Sequence, residues 1–394
     1  MSDTSPSLTL LSSPGTPQAG DTRTTIVHVV GARPDFVKVA PVVAALARRD
    51  LFRQVIVHTG QHYDARMSDD IIADLDLPAP DRFLEIGSGT HAAQTAKALT
   101  EFERVLVDTE PDLVLVAGAV NSTLACALAA SKLGIAIAHL ESGLRSFDWS
   151  MPEEINRVLT DRLSDTLLTH SPEACENLLA EGIGPSNVFN VGSTMIDSLR
   201  LREKRARALA AWKALGQRQG EYVLVTLHRP ANVDEPVRLL RIVDSLVALA
   251  RHVPVVFPIH PRTRARLSEG AALGELERAG VVCSEPIGYL DFLSLEAGAG
   301  AIVTDSGGIQ EEASALGVSC YTFRPSTERT ITLTHGTNVL LGDNPADIAD
   351  VRPWPFAPTP CAIPLWDGRA AERVADVLIA NYVLQSARPV VSAG

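Results

Sequence analysis

Short apolar runs alternate with longer segments of helical periodicity along most of the chain. The runs at 23–31, 54–59, 113–117 and 135–140 are continuous and rich in Val, Ile and Leu, which is typical of strands buried on both faces of a parallel sheet. Each run ends at a glycine or is followed by a glycine or polar residue, and a helical segment comes next. This alternation predicts a series of βα units around a parallel sheet.

The same alternation starts again in the second half of the chain. An Arg- and Ala-rich segment at about 197–215 is predicted to be a helix that carries the chain across, and further strands are predicted at 222–227, 253–258 and 319–323. Two successive βα series predict an α/β protein of two Rossmann-like, doubly wound domains that face a central cleft. Ligands bind at the carboxyl ends of the strands in such folds.

The length of the chain, 394 residues, also favours two domains over one. Residues 1–21 are rich in Ser, Thr, Pro and Gly and lack the apolar segment of a signal peptide, so we interpret them as a flexible tail. The predicted N-terminal domain covers 22–197 and the C-terminal domain covers 198–368. A last helix and short tail occupy 369–394, and the helix is expected to pack back towards the N-terminal domain.

Composition narrows the classes of partner. Hydrophobic residues make up 46% of the chain and charged residues 21%, as in a soluble globular protein. The net charge of −12 argues against a nucleic acid or an anionic membrane as partner, and no apolar run approaches the ~20 residues of a membrane span. The five cysteines lack the spacing of a metal site or a disulfide framework. We therefore expect a cytoplasmic protein without a metal, a membrane or a nucleic-acid partner.

The stretch 304–313, Thr-Asp-Ser-Gly-Gly-Ile-Gln-Glu-Glu-Ala, joins a predicted strand to a helix predicted at 310–316. Ser306 lies at a natural N-cap position, and Gly307 and Gly308 let the backbone approach a ligand closely. A strand, a turn and a helix N-terminus in this order can form an anion site, because free amides and the helix dipole point at the ligand. An ordinary strand-to-helix turn capped by Ser306 is the alternative.

Charged residues at other strand ends would reach the same cleft. Arg33 and Lys38 flank the start of the first helix, where two cations suit a phosphate group and a surface position is an equal alternative. Glu312, one turn into the helix after Ser306, could accept hydrogen bonds from sugar hydroxyls. His260 follows another predicted strand.

Three residues suit proton transfer, namely the carboxylates Glu141 and Glu153 and the imidazole of His228. Each has a simpler explanation when taken alone. Glu141 could pair with Arg145, Glu153 could favour the dipole of its own helix, and His228 could be a hydrogen-bonded core residue. Phosphate anchors beside such groups favour chemistry on a sugar nucleotide.

Several motifs resemble those of the UDP-N-acetylglucosamine 2-epimerases, and they occur in that family's order over roughly residues 23–385. They are Gly31-Ala-Arg-Pro-Asp35, Thr59-Gly-Gln-His62, His139-Leu-Glu-Ser-Gly-Leu-Arg145, Pro152-Glu-Glu-Ile-Asn-Arg157, Thr226-Leu-His-Arg229, Thr304-Asp-Ser-Gly-Gly-Ile-Gln-Glu-Glu312 and Thr327-Glu-Arg329. The resemblance implies the GT-B fold, which is the two-Rossmann fold of the B-type glycosyltransferases. It also implies a homodimer, a C-terminal domain that binds UDP, and no metal or nicotinamide cofactor.

The reaction implied by the resemblance interconverts UDP-GlcNAc and UDP-ManNAc. A base removes the C2 proton while UDP leaves from C1, and UDP adds back to the enzyme-held 2-acetamidoglucal after a proton returns on the other face. By motif position, the diphosphate would be held by Arg33, Lys38, Ser306, Gly307 and Arg329. Gly308 would belong to the same substrate-binding turn. Glu312 would bind the ribose, and Phe292 would lie by the uracil. The catalytic residues would be Glu141, Glu153 and His228, and an activator site for a second UDP-GlcNAc would comprise Gln61, His62, Arg229 and His260.

Two departures from the family pattern matter. Ala119 stands where the family has a catalytic aspartate, and our hypothesis is an engineered Asp→Ala variant, with natural loss as the alternative. Loss of one proton-transfer group commonly costs about 10² to 10⁴ in rate, so the chain is expected to bind its substrate better than it converts it. Tyr63 and Asp64 also depart from the activator-site pattern, and Ile287 replaces a polar residue near the uracil.

Four other functions remain open from the sequence. A hydrolysing epimerase of the same fold would release ManNAc and UDP, and a related epimerase would act on a modified UDP-sugar in antibiotic or polysaccharide assembly. A GT-B glycosyltransferase would need an acceptor and would leave UDP-GlcNAc unchanged without one. A non-catalytic nucleotide-sugar binding protein is suggested by Ala119, and epimerisation by an Ala119→Asp variant would count against it.

Overall fold

The computed structural model describes residues 22–60, 71–353 and 363–384, which form two parallel sheets with helices packed on them. The first sheet consists of β1 (Thr24–Val30), β2 (Phe52–His58), β3 (Arg82–Phe83), β4 (Leu113–Ala117), β5 (Ala136–Ser142), β6 (Thr166–Thr169) and β7 (Val188–Asn190). Its helices are α1 (Arg33–Arg49), α2 (His91–Thr109), α3 (Asn121–Lys132), α4 (Pro152–Leu163), α5 (Pro172–Ala180) and α6 (Thr194–Leu209). The strands lie in the order β3-β2-β1-β4-β5-β6-β7 and are parallel throughout.

The second sheet repeats this arrangement with β8 (Val223–Thr226), β9 (Val255–Pro258), β10 (Val282–Ser284), β11 (Ala301–Thr304), β12 (Ser319–Thr322) and β13 (Asn338–Leu340). Its helices are α7 (Pro230–Val233), α8 (Pro236–Ala250), α9 (Pro261–Ser268), α10 (Ala272–Arg278), α11 (Tyr289–Gly298), α12 (Gly307–Leu316) and α13 (Thr330–Thr334), and α14 (Ala370–Leu378) follows later in the chain. The strand order is β10-β9-β8-β11-β12-β13, again parallel throughout.

Both sheets therefore have the doubly wound topology, which confirms the predicted α/β fold of two Rossmann-like domains. In each sheet the strand order reverses at the first strand, between β1 and β4 and between β8 and β11. The crevice at such a reversal is where ligands bind in open α/β sheets. All residues of β4 are buried, as expected for a strand covered by helices on both faces.

Contacts between helices tie the two halves of the chain together. Helix α14 lies against α1, where Asp376 pairs with Arg49, and its first amides donate hydrogen bonds to the carboxylate of Asp197 on α6. A further contact joins helices of the two sheets: Arg200 on α6 donates a hydrogen bond to the carbonyl of Ala315 on α12. The domain boundaries at 197 and 368 stay a prediction, because contacts between helices do not show at which residue one domain ends and the next begins.

Two helix boundaries differ from the sequence prediction. The helix expected at 197–215 ends at Leu209, because Ala210 adopts a left-handed conformation with φ 47°. The turn that follows buries Trp212 so closely against Gly298 that a Cβ atom there would clash with the indole ring. Helix α12 begins at Gly307 rather than at 310, so both glycines of the turn lie in its first turn.

The short edge strands β3 and β13 were not predicted, because two or three residues carry too little alternation to be recognised. Among the described residues, no helix combines the length and the apolar character that a membrane span requires.

Candidate active site

Arg329, just before α13, is the centre of a buried charge cluster. Its Nε donates to Glu311 Oε1 at 2.6 Å, and its two Nη atoms contact the carboxylates of Glu328 and Glu141. Burial would lower the pKa of Arg329, but the three carboxylates outweigh burial and raise it above its ordinary value. Glu141 belongs to the first sheet and Arg329 to the second half of the chain, so this contact crosses the cleft.

Glu141 also pairs with Lys38 of α1, so two cations contact one carboxylate. Burial would raise the pKa of Glu141, but Lys38 and Arg329 outweigh it and hold the pKa at about 2. The suggested pairing with Arg145 is wrong, because Arg145 binds Asp161 and Glu181 instead.

The backbone of Glu141 is in an unusual conformation. Its φ is 69°, in the left-handed region, and the pairing of β5 with β6 shifts register between Leu140 and Ser142. A left-handed conformation of a residue other than glycine costs about 1–3 kcal/mol and persists where the surroundings enforce it, often at functional sites. The side chain of this irregular residue contacts Lys38 and Arg329.

The turn after β4, which carries Ala119, lies against this pair. Gly118 has φ 66°, and a Cβ atom on it would lie 2.9 Å from Lys38 Nζ and 3.7 Å from Glu141 Oε2. His139 holds the turn through its Nε2, 2.9 Å from the Gly118 carbonyl, and Asn156 donates to the Ala119 carbonyl at 3.0 Å. The turn that carries Ala119 thus packs against Lys38 and Glu141 through Gly118, the residue before it.

Asp35 is a buried carboxyl of the same region that the sequence analysis did not select. It accepts hydrogen bonds from the amides of Gly31 and Ala32, which directly precede α1. Burial raises its pKa to about 6, although Lys38 and the two amides act in the opposite direction.

The first turn of α12 faces Arg329. Ser306 occupies the N-cap position as predicted, but its side chain makes no capping hydrogen bond. A Cβ atom on Gly307 would clash with the Arg329 guanidinium, and one on Gly308 would lie 2.8 Å from Met195 Cε. The glycines thus allow two side chains to pack closely against the helix start.

A second cluster lies deeper along α11 and α12. Tyr289 Oη donates to Glu312 Oε1 at 2.9 Å, and the Arg33 guanidinium lies 5.9 Å from the centre of the Phe292 ring, as in a cation–π contact. Burial raises the pKa of Glu312 to about 7, with a smaller contribution from Glu311. Arg33 thus lies near both Phe292 and Glu312, and the roles that the resemblance implies for these residues stay a prediction.

A third cluster forms around Asp305, at the end of β11. His228 Nδ1 lies 3.0 Å from Asp305 Oδ1, and the amides of His228 and Arg229 both donate to this carboxylate. Burial would raise the pKa of Asp305, but His228 and the hydrogen bonds hold it at about 2. The His260 ring lies 5.4 Å from that of His228. Asp305 therefore fixes the orientation of His228.

The remaining predicted residues fall at the edge of this arrangement or beyond it. Burial together with the nearby Arg324 lowers the pKa of Arg229. Glu153, in the first turn of α4, acts in the opposite direction. Gln61 and His62 lie outside the described residues, so the activator site stays a prediction. Within the described residues, no group of three or more His, Cys, Asp or Glu side chains could hold a metal ion.

Four carboxylates of the site were not predicted from the sequence, namely Asp35, Asp305, Glu311 and Glu328. All four stand inside or beside the motifs, which is a signal that could have found them. Asp305 and Glu311 have partners far away in the chain, His228 and Ser193, and sequence spacing does not encode such pairs.

The chain matches the profile of the UDP-N-acetylglucosamine 2-epimerase family over residues 44–379. The UDP-N-acetylglucosamine 2-epimerase of Methanocaldococcus jannaschii is 45% identical over 323 residues, which are 80% of this chain and 88% of that protein. The UDP-2,3-diacetamido-2,3-dideoxy-D-glucuronate 2-epimerase of Pseudomonas aeruginosa is 44% identical over 324 residues, with the same shares of the two chains covered.

Among solved structures, the crystal structure of M. jannaschii UDP-GlcNAc 2-epimerase in complex with UDP-GlcNAc and UDP has a TM-score of 0.83 to this chain at 40% identity. The match covers 91% of this chain and 100% of that one. A family profile that spans most of the sequence and relatives of this identity lead to one conclusion: the chain belongs to the UDP-N-acetylglucosamine 2-epimerase family of isomerases.

Proposed function

We propose that the chain acts on UDP-GlcNAc and interconverts it with UDP-ManNAc by removal of the C2 proton, elimination of UDP and its re-addition. The observation that carries the proposal is the meeting of Lys38 and Arg329 at Glu141. Two buried cations beside a helix N-terminus suit a diphosphate, and the carboxylate they contact suits proton transfer at a neighbouring sugar carbon.

The diphosphate would bind between Arg329, Lys38, Arg33 and the first turn of α12. Gly307 and Gly308 are helical residues there, so their amides have no partner within the helix and can donate to phosphate oxygens. The ribose hydroxyls would donate to Glu312, and the uracil would lie by Phe292 and Arg33.

Proton transfer would involve Glu141, Glu153 and His228. A carboxyl with a pKa of about 2 is a weak base, so Glu141 needs a change of surroundings before it can accept a proton. The bound diphosphate would provide this change, because its charge offsets that of Lys38 and Arg329 and so raises the pKa of Glu141. Asp305 would act on His228 as a positioning residue.

Ala119 would leave this site without the aspartate of the family pattern, and the preceding residue, Gly118, packs against Lys38 and Glu141. Loss of one proton-transfer group commonly lowers the rate by about 10² to 10⁴. We therefore expect the chain to bind UDP-GlcNAc and convert it slowly, and Ala119→Asp to raise the rate by a factor in that range.

A proton NMR time course of UDP-GlcNAc in heavy water tests both parts of the proposal, with the chain and its Ala119→Asp variant side by side. The expected result is UDP-ManNAc with deuterium at C2, formed much faster by the variant. If neither protein exchanges the C2 proton, UDP-GlcNAc is the wrong substrate. If free UDP and ManNAc accumulate instead, the enzyme is of the hydrolysing type.

A modified UDP-sugar is the second candidate substrate. The observation in its favour is the 44% identity to the P. aeruginosa 2-epimerase that is named for a UDP-2,3-diacetamido-2,3-dideoxy-D-glucuronate, nearly the same as the 45% to the M. jannaschii enzyme. The same NMR assay with that uronate decides between them, because the better substrate exchanges its C2 proton faster at equal concentration.

We also propose a cytoplasmic homodimer, on the strength of the family resemblance. Light scattering after size-exclusion chromatography measures the mass directly, and a mass near twice 42.1 kDa is expected.

A further inference from the structure

His170 is a buried histidine that the proposed mechanism does not use. It follows β6 directly and is only 2% exposed. Neither ring nitrogen has a hydrogen-bond partner among the described residues. An unsatisfied buried polar group costs about 1–3 kcal/mol, so such a group in a native protein usually has a water or a functional partner.

The ring of His170 lines a small cavity beside Glu141 and Lys38. The cavity has a volume of about 10 Å³ and is also lined by Lys38, Glu141 and Ser193. A volume of roughly this size holds one water, provided that the walls offer it polar partners. An ammonium, a carboxylate, a hydroxyl and an imidazole meet that condition.

The cavity adjoins the charge cluster that joins the two halves of the chain. His170 Nε2 lies 4.0 Å from Glu311 Oε1, which is too far for a direct hydrogen bond and within reach through one water. Glu311 in turn accepts hydrogen bonds from Arg329 Nε at 2.6 Å and from Ser193 Oγ at 2.7 Å. Arg329 then contacts Glu141.

We propose that His170 is a positioning residue for Glu141, and that one ordered water in this cavity joins its ring to the Glu141–Arg329–Glu311 chain. The inference rests on the proposed function, because it concerns the carboxylate to which that function assigns proton transfer. The water accepts a hydrogen bond from the imidazole N–H or donates one to the unprotonated ring nitrogen. From its place in the cavity that Glu141 also lines, it restrains the position of the Glu141 side chain.

The neutral form of the ring suits this role. Burial lowers the pKa of His170 and Arg329 acts in the same direction, against the carboxylates of Glu311 and Glu141. A neutral imidazole offers one donor and one acceptor. A charged ring would instead add a third cation beside Lys38 and Arg329.

The ring is also held in place independently of its nitrogens. Trp366 Nε1 donates to the backbone carbonyl of His170 at 3.0 Å, and the two rings lie 5.9 Å apart. Because these contacts need no ring nitrogen, His170→Phe preserves the packing and removes the polar atoms. His170→Asn keeps a polar group that can still hold the water.

The test combines a structure with kinetics. A high-resolution crystal structure should show a water between the His170 ring and Glu311 or Glu141, and a dry cavity would overturn the proposal. In the Ala119→Asp background, His170→Phe should slow C2 deuterium exchange about tenfold or more, since small displacements of a reacting group are costly. The affinity for UDP should change little, and His170→Asn should recover much of the rate.

A matched control is His28→Phe, which removes an equally buried imidazole in β1 whose ring bonds to Gln54. It should leave the exchange rate and its pH profile unchanged, whereas His170→Phe should shift the pH profile assigned to Glu141. Equal rates and pH profiles for parent and His170→Phe would overturn the positioning role. If no variant exchanges C2 at all, the proposed function has failed, and the crystal structure alone then decides whether the water site exists.

Discussion

Replacing Glu141 with glutamine should strengthen the binding of UDP. Lys38 and Arg329, which we assign to the diphosphate, are both paired with Glu141 in the ligand-free protein. The diphosphate must therefore take these cations from the protein's own carboxylate. Glutamine has nearly the same shape and no charge, so it removes both the competition and the repulsion between carboxylate and phosphate.

The size of the effect follows from the charge on Glu141. Its pKa is about 2 instead of the usual 4.5, and one pKa unit corresponds to about 1.4 kcal/mol. The surroundings thus favour the ionised form by about 3 kcal/mol. We expect the diphosphate to overcome between one half and most of this preference of about 3 kcal/mol for the ionised form, at about 1.4 kcal/mol per pKa unit. Because about 1.4 kcal/mol corresponds to a factor of ten in affinity, glutamine should tighten UDP binding by about tenfold to a hundredfold.

Isothermal titration calorimetry with UDP measures this directly, because UDP carries the diphosphate but lacks the N-acetylhexosamine on which the reaction takes place. The matched control is Glu153→Gln, another proposed catalytic carboxylate, which neutralises a partly exposed side chain at the start of α4. We expect its affinity to stay within about threefold of the parent, since exposed charges interact weakly with their neighbours. An unchanged or weaker affinity of Glu141→Gln, with the protein still folded by thermal melting, would refute the competition.

Two further predictions concern stability. Glu296 of α11 is buried with both carboxyl oxygens unpartnered among the described residues, and burial together with Glu312 raises its pKa well above 4.5. The folded state therefore binds more protons than the unfolded chain above about pH 4.5, so this group lowers stability as pH rises. Glu296→Met should raise Tm more at pH 8 than at pH 5, and an equal gain at both would contradict this. Ser306→Ala should leave Tm nearly unchanged, because the Ser306 side chain does not make the usual capping contribution of about 1 kcal/mol. The same substitution should weaken UDP binding. A clear loss of Tm with unchanged affinity would contradict the assignment of Ser306 to the diphosphate.

Much of the fold is determined by local sequence. The strand predicted at 113–117 has the bounds of β4, because a continuous apolar run between polar turns has few other stable arrangements in water. The two βα series, the turn at Ser306 and the ordered motifs come from residues that are neighbours in the chain. They were sufficient for the two Rossmann-like domains and for the family.

The electrostatics of the site depend on tertiary structure. Glu141 could have paired with Arg145, only four residues away, yet it contacts Arg329, which is 188 residues away. The helix predicted through 215 stops at Leu209, where the left-handed Ala210 turns the chain so that Trp212 is buried against Gly298 on another helix. The polar cavity beside His170 has walls from α1, β5 and the start of α6.

In each of these cases the deciding contact joins residues far apart in sequence. Propensity and periodicity act over a few residues and therefore predict helices, strands and the turns between them. The pairing of buried charges depends instead on which groups folding brings within a few ångströms and removes from water. The sequence alone thus determined the architecture and the residues that could do the chemistry, and only the folded chain decided how their charges are paired.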